Sequence, residues 1–360
     1  MAQAPAQEIP TPKSKPRYEY LDIAKGFAAA SVVLLHLIHP HTLFTILAPW
    51  HIWQAMPIFL FVAGITGGMS CRKYAGITGN LGWQKNRQDL ALYYRSLPEK
   101  ALALYIPYAV VVVLYHMWSK EPLGIELFFN TMLMGYLGPG GYFVPLIVQH
   151  LILFPLVLSL RGKLGSDGKF LAVTLAISVV AELAFAFCDV TPTQFIYRIF
   201  YLRYLFVCCL GVVLADGNPF SKTTFRLLAL ISALYMAAVC YLGNPTATPP
   251  EFWNLPFLRA DSWYFQHYPA YFFTAFIILA MRDYERFIPK KSWLIAMGKS
   301  SYDIFIFQML FFITIVLSIK QAYGWSDLPV LLKILGFFFC IFGGFALTWA
   351  KKAWKELRAS

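Results

Sequence analysis

Long apolar runs dominate the chain and recur at short intervals between residues 20 and 350. A helix needs about 20 mostly apolar residues to cross a hydrocarbon core about 30 Å thick. The segments that meet this requirement are 20–39, 50–70, 101–118, 142–160, 169–188, 195–215, 224–242, 263–281, 301–319 and 329–350. The pattern therefore predicts an all-α membrane protein with about ten transmembrane helices.

The remaining segments are short. The stretch LGIELFFNTMLMGYLG (123–138) is apolar but short and polar at its start, so we expect it to be re-entrant or to lie at the membrane interface. Residues 1–17 are Pro-rich and polar without an apolar run, which is typical of a disordered tail. We expect residues 18–350 to form a single transmembrane domain and residues 351–360 a basic tail.

Composition and charge agree with a membrane protein. Hydrophobic residues make up 59% of the chain and charged residues 13%, whereas a soluble domain carries about 25% charged residues. The net charge of +12 would also suit nucleic-acid binding, but the lysines and arginines concentrate in alternate loops. The opposite loops hold only Lys120, Arg259 and Lys320. Cytoplasmic loops are the basic ones, so both termini are predicted to be cytoplasmic and nucleic acid is not an expected partner.

The first predicted span carries the most notable polar residues. Lys25 and His36 are eleven positions apart, which is about 20° from three full helical turns, so both side chains should lie on one face. Their axial separation is roughly 16 Å. Lys25 could bind a phosphate as a point charge and His36 could move a proton at a reactive end. Asp22 lies on the same side. Alternatively, Lys25 extends its ammonium group to the cytoplasmic lipid headgroups, and His36 forms a structural hydrogen bond with a neighbouring helix.

Other polar residues in apolar segments are weaker candidates. In the sixth predicted span Arg203 lies deeper than Arg198, so we expect Arg203 to be the functional arginine. Gln149, His150 and Asp303 could be site residues or structural hydrogen-bond partners. His39, His41 and His51 flank the first outer loop without a defined ligand geometry, and the six cysteines have no metal-like spacing. We therefore expect no metal.

Six motifs, in order, are similar to those of the acyltransferase 3 family of membrane-bound acyltransferases. They are LDIAKGFAAASVVLLHL (21–37), QAMPIFLFVAGITGG (54–68), RSLPEKALALYIPY (95–108), GGYFVPLIVQHLILFPL (140–156), YLRYLFVCCLGVVLA (201–215) and MGKSSYDIFIFQML (297–310). The chain has Lys25 where the family most often has Arg, Ala63 where it has Ser and Gln308 where it often has His. The opening motif and the second helix look closest to fucose 4-O-acetylase-like and exopolysaccharide acetylases.

The resemblance implies an inner-membrane O-acyltransferase of a bacterium that uses acetyl-CoA, with a glycan or a lipid-linked oligosaccharide as the acceptor. A succinyl or longer acyl group stays possible. In that reading His36 is the general base or a transient acyl carrier, and Asp303 or Gln149 orients it. Arg203, Ser301 or Tyr302 stabilises the oxyanion.

The remaining predicted contacts are with the donor and the acceptor. Lys25, Arg72, Lys73 and Arg95 would attract the nucleotide end of CoA, and Asp22 is predicted to belong to the same cofactor-binding site. Gln149, His150, Ser301 and Tyr302 would line the substrate path. Two rival hypotheses remain. The first is a transporter or flippase, although no pseudo-repeat is visible, and the second is a membrane sensor or assembly partner without catalysis.

Overall fold

The structure is a computed structural model. It describes residues 18–71, 83–120, 122–188, 190, 194–217, 219–242, 266–289, 292–325 and 327–359. Throughout these ranges the regular secondary structure is helical and no strand is found, which confirms the predicted all-α class. The predicted N-terminal tail (1–17) and the basic residues Arg72 and Lys73 lie outside the described residues.

Sixteen α-helices follow one another along the described chain. They are α1 (Glu19–Leu37), α2 (Pro40–Thr45), α3 (Ala55–Cys71), α4 (Trp83–Arg95), α5 (Leu97–Ser119), α6 (Ile125–Met134), α7 (Phe143–Leu164), α8 (Asp167–Phe187), α9 (Phe195–Ile199), α10 (Leu205–Asp216), α11 (Lys222–Leu242), α12 (Tyr271–Tyr284), α13 (Trp293–Lys299), α14 (Ser301–Phe311), α15 (Leu317–Tyr323) and α16 (Val330–Ala359). Short 3₁₀ turns cover Ala48–Trp50, Ile52–Gln54, Tyr201–Tyr204, Tyr268–Ala270 and Glu285–Phe287, and a π-helical segment covers Phe312–Val316.

Eight helical segments of the described chain are long and apolar enough to cross a membrane. Two predicted spans are not among them. The sixth is divided into α9, the turn Tyr201–Tyr204 and α10, and the eighth contains α12 behind a 3₁₀ turn. The span count of ten and the orientation of the termini therefore stay predictions. Helix α6 has ten residues, which is too short to span and agrees with the expectation for 123–138. The basic segment after residue 350 continues α16 to Ala359.

The helices differ in how deeply they lie in the bundle. In the segment Ala48–Met69, which contains α3, 72% of the most apolar stretch is buried inside the protein, whereas the share is 22% in both Arg87–Ser119 and Val330–Arg358. Helices α5 and α16 therefore expose apolar side chains such as Ile106, Trp118 and Phe338 around the outside of the bundle, as lipid contact requires. Helix α1, 61% buried, belongs to the centre with α3.

Glycines bring the central helices into backbone contact. A Cβ atom at Gly64 in α3 would overlap the carbonyl of Cys208 in α10, and one at Gly211 in α10 would overlap the carbonyl of Phe61. Small residues permit such close approach because no side chain separates the two helices, and packing of this kind drives helix association in lipid. Helices α3 and α10 therefore form one rigid pair beneath the site.

Helix α1 has clear sequence signals at both ends. Glu19 and Asp22 lie in its first turn, where negative charge is favourable to the helix dipole. It ends at Leu37, and Ile38 is already extended. Residue His39 precedes Pro40, and a residue before proline is disfavoured in the helical region. These ends hold Lys25 and His36 on one uninterrupted helix.

Candidate functional site

A cavity of about 850 Å³ lies in the centre of the bundle, and both Lys25 and His36 line it. Its wall is formed by α1, α3, the loop before α7, the start of α9 and the first turns of α14. The spacing of Lys25 and His36 predicts that they share a helix face, and in the structure both side chains line the same cavity. A pocket of this size lies within the range of small-molecule and cofactor sites.

Lys25 is held at the end of the cavity where α1 begins. Its Nζ lies 2.8 Å from Oδ1 of Asp22, one turn earlier on the same helix. The side chain of Asp22 is only 5% exposed and that of Lys25 is 28% exposed. The lysine is therefore directed along its own helix and into the cavity wall, and the carboxylate keeps the ammonium group in place.

His36 lies more than two turns further along α1 and also faces the cavity. Its imidazole meets the ring of Phe312 edge to face, with 5.7 Å between centroids. In the described part of the chain no residue forms a hydrogen bond with this imidazole. Its nitrogen atoms are therefore available to a molecule in the cavity, which a general base or an acyl carrier requires.

Ser301 and Tyr302, predicted to contact substrate, both line the cavity at the start of α14. The Tyr302 hydroxyl donates to the carbonyl of Leu104 at 2.5 Å, so the tyrosine contributes mainly its ring. Ser301 has no such bond within the described chain and can offer its hydroxyl to a ligand. Ser301 is therefore the better placed of the two for oxyanion stabilisation.

Asp303 is placed differently from its predicted role. Its carboxylate accepts hydrogen bonds from Thr348 Oγ1 at 2.6 Å and from Lys351, both on α16. It does not line the cavity. Two helical steps, about 200°, separate it from Ser301, so it lies on the opposite face of α14. The expectation that Asp303 orients His36 is not supported by this placement, and the carboxylate instead joins α14 to α16.

Arg203, the arginine expected to be catalytic, lies outside the cavity wall and is completely buried. Its Nε lies 2.7 Å from Glu182 Oε1, and its Nη1 donates to the Tyr197 carbonyl at 2.6 Å. Its Nη2 lies 3.3 Å from His267 Nε2. Tyr197 closes the network, with its hydroxyl 3.0 Å from Glu182 Oε2 and 2.8 Å from His267 Nε2. Arg203 is thus the centre of a buried structural network.

The neighbouring residues of this network are the ones that reach the cavity. Arg198, adjacent to Tyr197, and Gln266, adjacent to His267, both line it. Gln266 is 8% exposed, and its Oε1 atom is buried without a hydrogen-bond partner. Depth in the predicted span favours Arg203, but depth alone does not determine which arginine faces the cavity. The network fixes the chain so that the shallower arginine faces the cavity.

The other two predicted substrate residues, Gln149 and His150, stabilise the break in the sixth span. Gln149 Nε2 donates to the carbonyl of Ile199 at 2.8 Å, and its Oε1 accepts from the backbone N–H of Tyr201 at 3.2 Å. His150 Nδ1 lies 3.0 Å from the Tyr201 hydroxyl. Neither residue lines the cavity. Gln149 replaces backbone bonds that a continuous helix would have made across Phe200, and His150 holds the side chain of Tyr201.

A glycine-rich loop completes the wall. Gly138, Pro139, Gly140 and Tyr142 line the cavity between α6 and α7. Gly138 and Gly140 have φ values of +65° and +88°, and a Cβ at Gly140 would lie 2.8 Å from the Phe305 ring. Glycine is the residue that adopts such backbone without strain. The run GPGG (138–141) predicts a sharply turned loop, but it does not indicate that the loop lines a cavity.

The predicted basic mouth is only partly described. Arg95 ends α4 with an exposed side chain and does not line the cavity. Its predicted attraction of a nucleotide therefore stays a prediction about a surface near the cavity, and Arg72 and Lys73 lie outside the described residues.

Comparison with known proteins gives one match. The model of the acyltransferase 3 family, described as an acyltransferase domain, matches residues 18–352. Searches among curated proteins and among solved structures each gave no match. The matched region contains the whole cavity wall, from Lys25 on α1 to Phe305 on α14.

Proposed function

This chain belongs to the acyltransferase 3 family and is a multi-pass membrane acyltransferase, and from that premise we propose that it moves an acetyl group from acetyl-CoA to a sugar hydroxyl. The acceptor is a surface polysaccharide or its lipid-linked precursor. The observation that supports this proposal most is the shared cavity of Lys25 and His36.

The donor site is at the Lys25 end. A phosphate group of CoA bound by Lys25 would leave the pantetheine arm to follow the cavity, roughly 16 Å along α1, towards His36. Charge-assisted bonds to phosphate are the stronger kind of hydrogen bond, and Asp22 holds the ammonium group in position. A lysine recognises phosphate as a point charge and does not require the bidentate geometry that arginine provides.

His36 performs the transfer. As a general base its neutral imidazole takes the proton of the acceptor hydroxyl while that oxygen attacks the thioester carbonyl. The C–S bond then breaks, CoA leaves as a thiolate and the imidazolium returns the proton to it. As an acyl carrier the imidazole attacks the thioester first, the C–S bond breaks, and CoA leaves with the proton of the other ring nitrogen. The acceptor hydroxyl then attacks the acyl group, the C–N bond breaks, and the hydroxyl proton passes to the released imidazole. Ser301 is placed to stabilise the oxyanion in either route.

The acceptor occupies the far part of the cavity. Gln266 offers a buried amide oxygen without a partner, which a sugar hydroxyl can satisfy. Arg198 adds a cation, and Trp53, Tyr142 and Phe195 add aromatic surface for a sugar ring. The positive-inside pattern assigns the Lys25 end to the cytoplasm, where acetyl-CoA is available, and we assign the protein to a bacterial inner membrane.

The test is a transfer assay with the purified full chain in membranes. Radiolabelled acetyl-CoA is added, free CoA is measured with a thiol reagent, and label is followed into protein and glycan. His36→Ala should abolish transfer while the protein remains inserted. The matched control is His116→Ala, which changes another buried histidine that does not line the cavity and should leave transfer intact. Normal transfer by a well-expressed His36→Ala variant would overturn the role of His36, and uptake of glycan without CoA release would favour a transporter.

A further inference from the structure

Gln308 on α14 is fully buried, and neither its amide nitrogen nor its amide oxygen has a hydrogen-bond partner within the described chain. A buried polar group without a partner loses its hydrogen bonds to water and gains none in return, which is unfavourable. Most buried polar side chains in folded proteins avoid this arrangement, so each exception needs an explanation.

A second fully buried glutamine in the same protein shows the usual arrangement. Gln54 Nε2 donates to the Pro49 carbonyl at 2.8 Å and contacts Met236 Sδ at 3.2 Å. Its Oε1 accepts from the Thr274 hydroxyl at 2.6 Å. The interior of this bundle can therefore satisfy a glutamine amide, and Gln308 differs from Gln54 in its partners rather than in its burial.

The position of Gln308 relates it to the site. Ser301 and Phe305 line the cavity, and Phe312 contacts the His36 ring. Gln308 is seven positions after Ser301 and four before Phe312, so it lies about 20° from the first and about 40° from the second around α14. These residues lie on one stripe of α14 and of the π-helical segment that continues it, and Gln308 lies along that stripe between Phe305, which lines the cavity, and Phe312, which contacts His36.

The backbone changes form at the same point. The N–H of Phe312 is shared between the carbonyls of Gln308 and Met309, and a π-helical segment begins at Phe312. Single π turns inside α-helices occur often at functional sites. The wider turn therefore starts at the residue whose ring contacts His36.

We propose that Gln308 is the positioning residue of His36. During transfer its amide oxygen accepts a hydrogen bond from one N–H of the imidazole, so the other nitrogen is held as the free acceptor for the hydroxyl proton. A neutral imidazole has one donor and one acceptor nitrogen. A hydrogen-bond acceptor beside one nitrogen keeps the proton on that nitrogen and so fixes the tautomer. The proposed bond requires a change of side-chain rotamer, because the Gln308 amide has no partner in the structure. The inference rests on the proposed function of His36.

The first test compares Gln308→Leu with Gln54→Leu in the full-length protein. Gln308→Leu should keep or raise the unfolding temperature, because it removes two unsatisfied polar atoms without leaving a new one. It should lower kcat about 10- to 100-fold, as loss of a partner of a functional histidine does, with the KM for acetyl-CoA unchanged. Gln54→Leu should lower the unfolding temperature and keep the kcat of the folded fraction. An unchanged kcat in Gln308→Leu would overturn the inference.

The second test uses Gln308→Glu and the pH dependence of kcat. A carboxylate beside His36 stabilises the imidazolium, which cannot act as a base, so the acidic limb of the profile should move to higher pH by about one unit or more. The other charged residues described in the cavity wall, Lys25 and Arg198, are unchanged in this variant. A profile that coincides with that of the parent protein would show that Gln308 does not pair with His36.

The two proposals fail in different ways. If His36→Ala is inactive while Gln308→Leu is fully active, only the positioning role is wrong. If His36→Ala remains active, the function proposed for His36 is wrong, whatever the behaviour of Gln308.

Discussion

Gly26 on α1 and Gly298 on α13 lie backbone to backbone: a Cβ atom at Gly26 would stand 3.1 Å from the amide nitrogen of Gly298 and would overlap the Leu294 carbonyl. This contact joins the first and last of the six sequence motifs. Lys25 precedes Gly26 directly, and Ser301 follows Gly298 by three residues, so the contact also holds two parts of the cavity wall together.

The first prediction concerns this contact. Gly26→Ala should destabilise the protein by about 1–3 kcal/mol or more, because the added methyl group has no space and the backbone atoms it meets cannot rotate away. The measurement is the thermal unfolding of the purified protein in detergent. The control is Gly124→Ala, since a Cβ there has nothing within 4 Å and φ is −70°. Equal unfolding temperatures for the two variants would contradict the packing argument.

A second prediction separates donor binding from transfer. Lys25→Ala should raise the KM for acetyl-CoA at least about tenfold, since one charge-assisted bond to phosphate contributes about 1.5–3 kcal/mol, and should change kcat little. The variant leaves Asp22 buried without its lysine. The double variant Lys25→Ala, Asp22→Asn also removes the charge of that carboxylate and should show the same rise in KM. A KM that returns to the parent value in the double variant would assign the effect to Asp22.

The third prediction distinguishes the two arginines of the broken span. Arg203→Met leaves Glu182 buried without its cation and should lower stability by about 3–5 kcal/mol. Adding Glu182→Gln should recover part of that loss. Arg198→Ala should leave the unfolding temperature unchanged and raise the KM for the acceptor, because Arg198 lines the cavity. The outcome that speaks against this assignment is a stable Arg203→Met protein with a specific loss of acceptor use.

The fourth prediction is a pH effect at the far end of the bundle from Lys25. Asp327 lies in the loop before α16. Burial raises the pKa of its carboxyl group, but hydrogen bonds from Lys333, at 2.5 Å, and from the Leu328 N–H lower that pKa more. The net pKa is therefore below the ordinary value. A depressed carboxylate contributes stability above the unfolded pKa, about 3.9, and loses it as pH falls through the lower folded value.

Lys333→Met removes the main partner of that carboxylate. The variant should therefore unfold at a slightly lower temperature than the parent at pH 6, and the difference should diminish below about pH 4. The effect should be small because Asp327 is about one-third exposed and solvent screens the pair. The check is a series of unfolding temperatures between pH 6 and pH 3. A difference that grows towards acid pH would show the opposite sign.

Sequence reasoning determined the features that depend on local periodicity. Apolar runs located eight long helices and identified 123–138 as too short to span, since crossing hydrocarbon requires a fixed length of satisfied backbone. The spacing of Lys25 and His36 was enough to predict that they share a helix face, because both belong to one helix without a break. The order of six motifs led to the acyltransferase 3 family, which the match over residues 18–352 confirms.

Tertiary structure decided which polar side chains meet. Asp303 and Ser301 lie on one short helix, yet Asp303 forms a hydrogen bond with α16 and Ser301 lines the cavity. Arg203 is enclosed by Tyr197, six residues earlier, and by Glu182 and His267, which are distant in the chain. The unsatisfied amide of Gln308 is visible only when every neighbour is known. A hydrogen bond depends on angles and distances of a few tenths of an ångström between separate helices, and no helical period specifies how those helices are placed against one another.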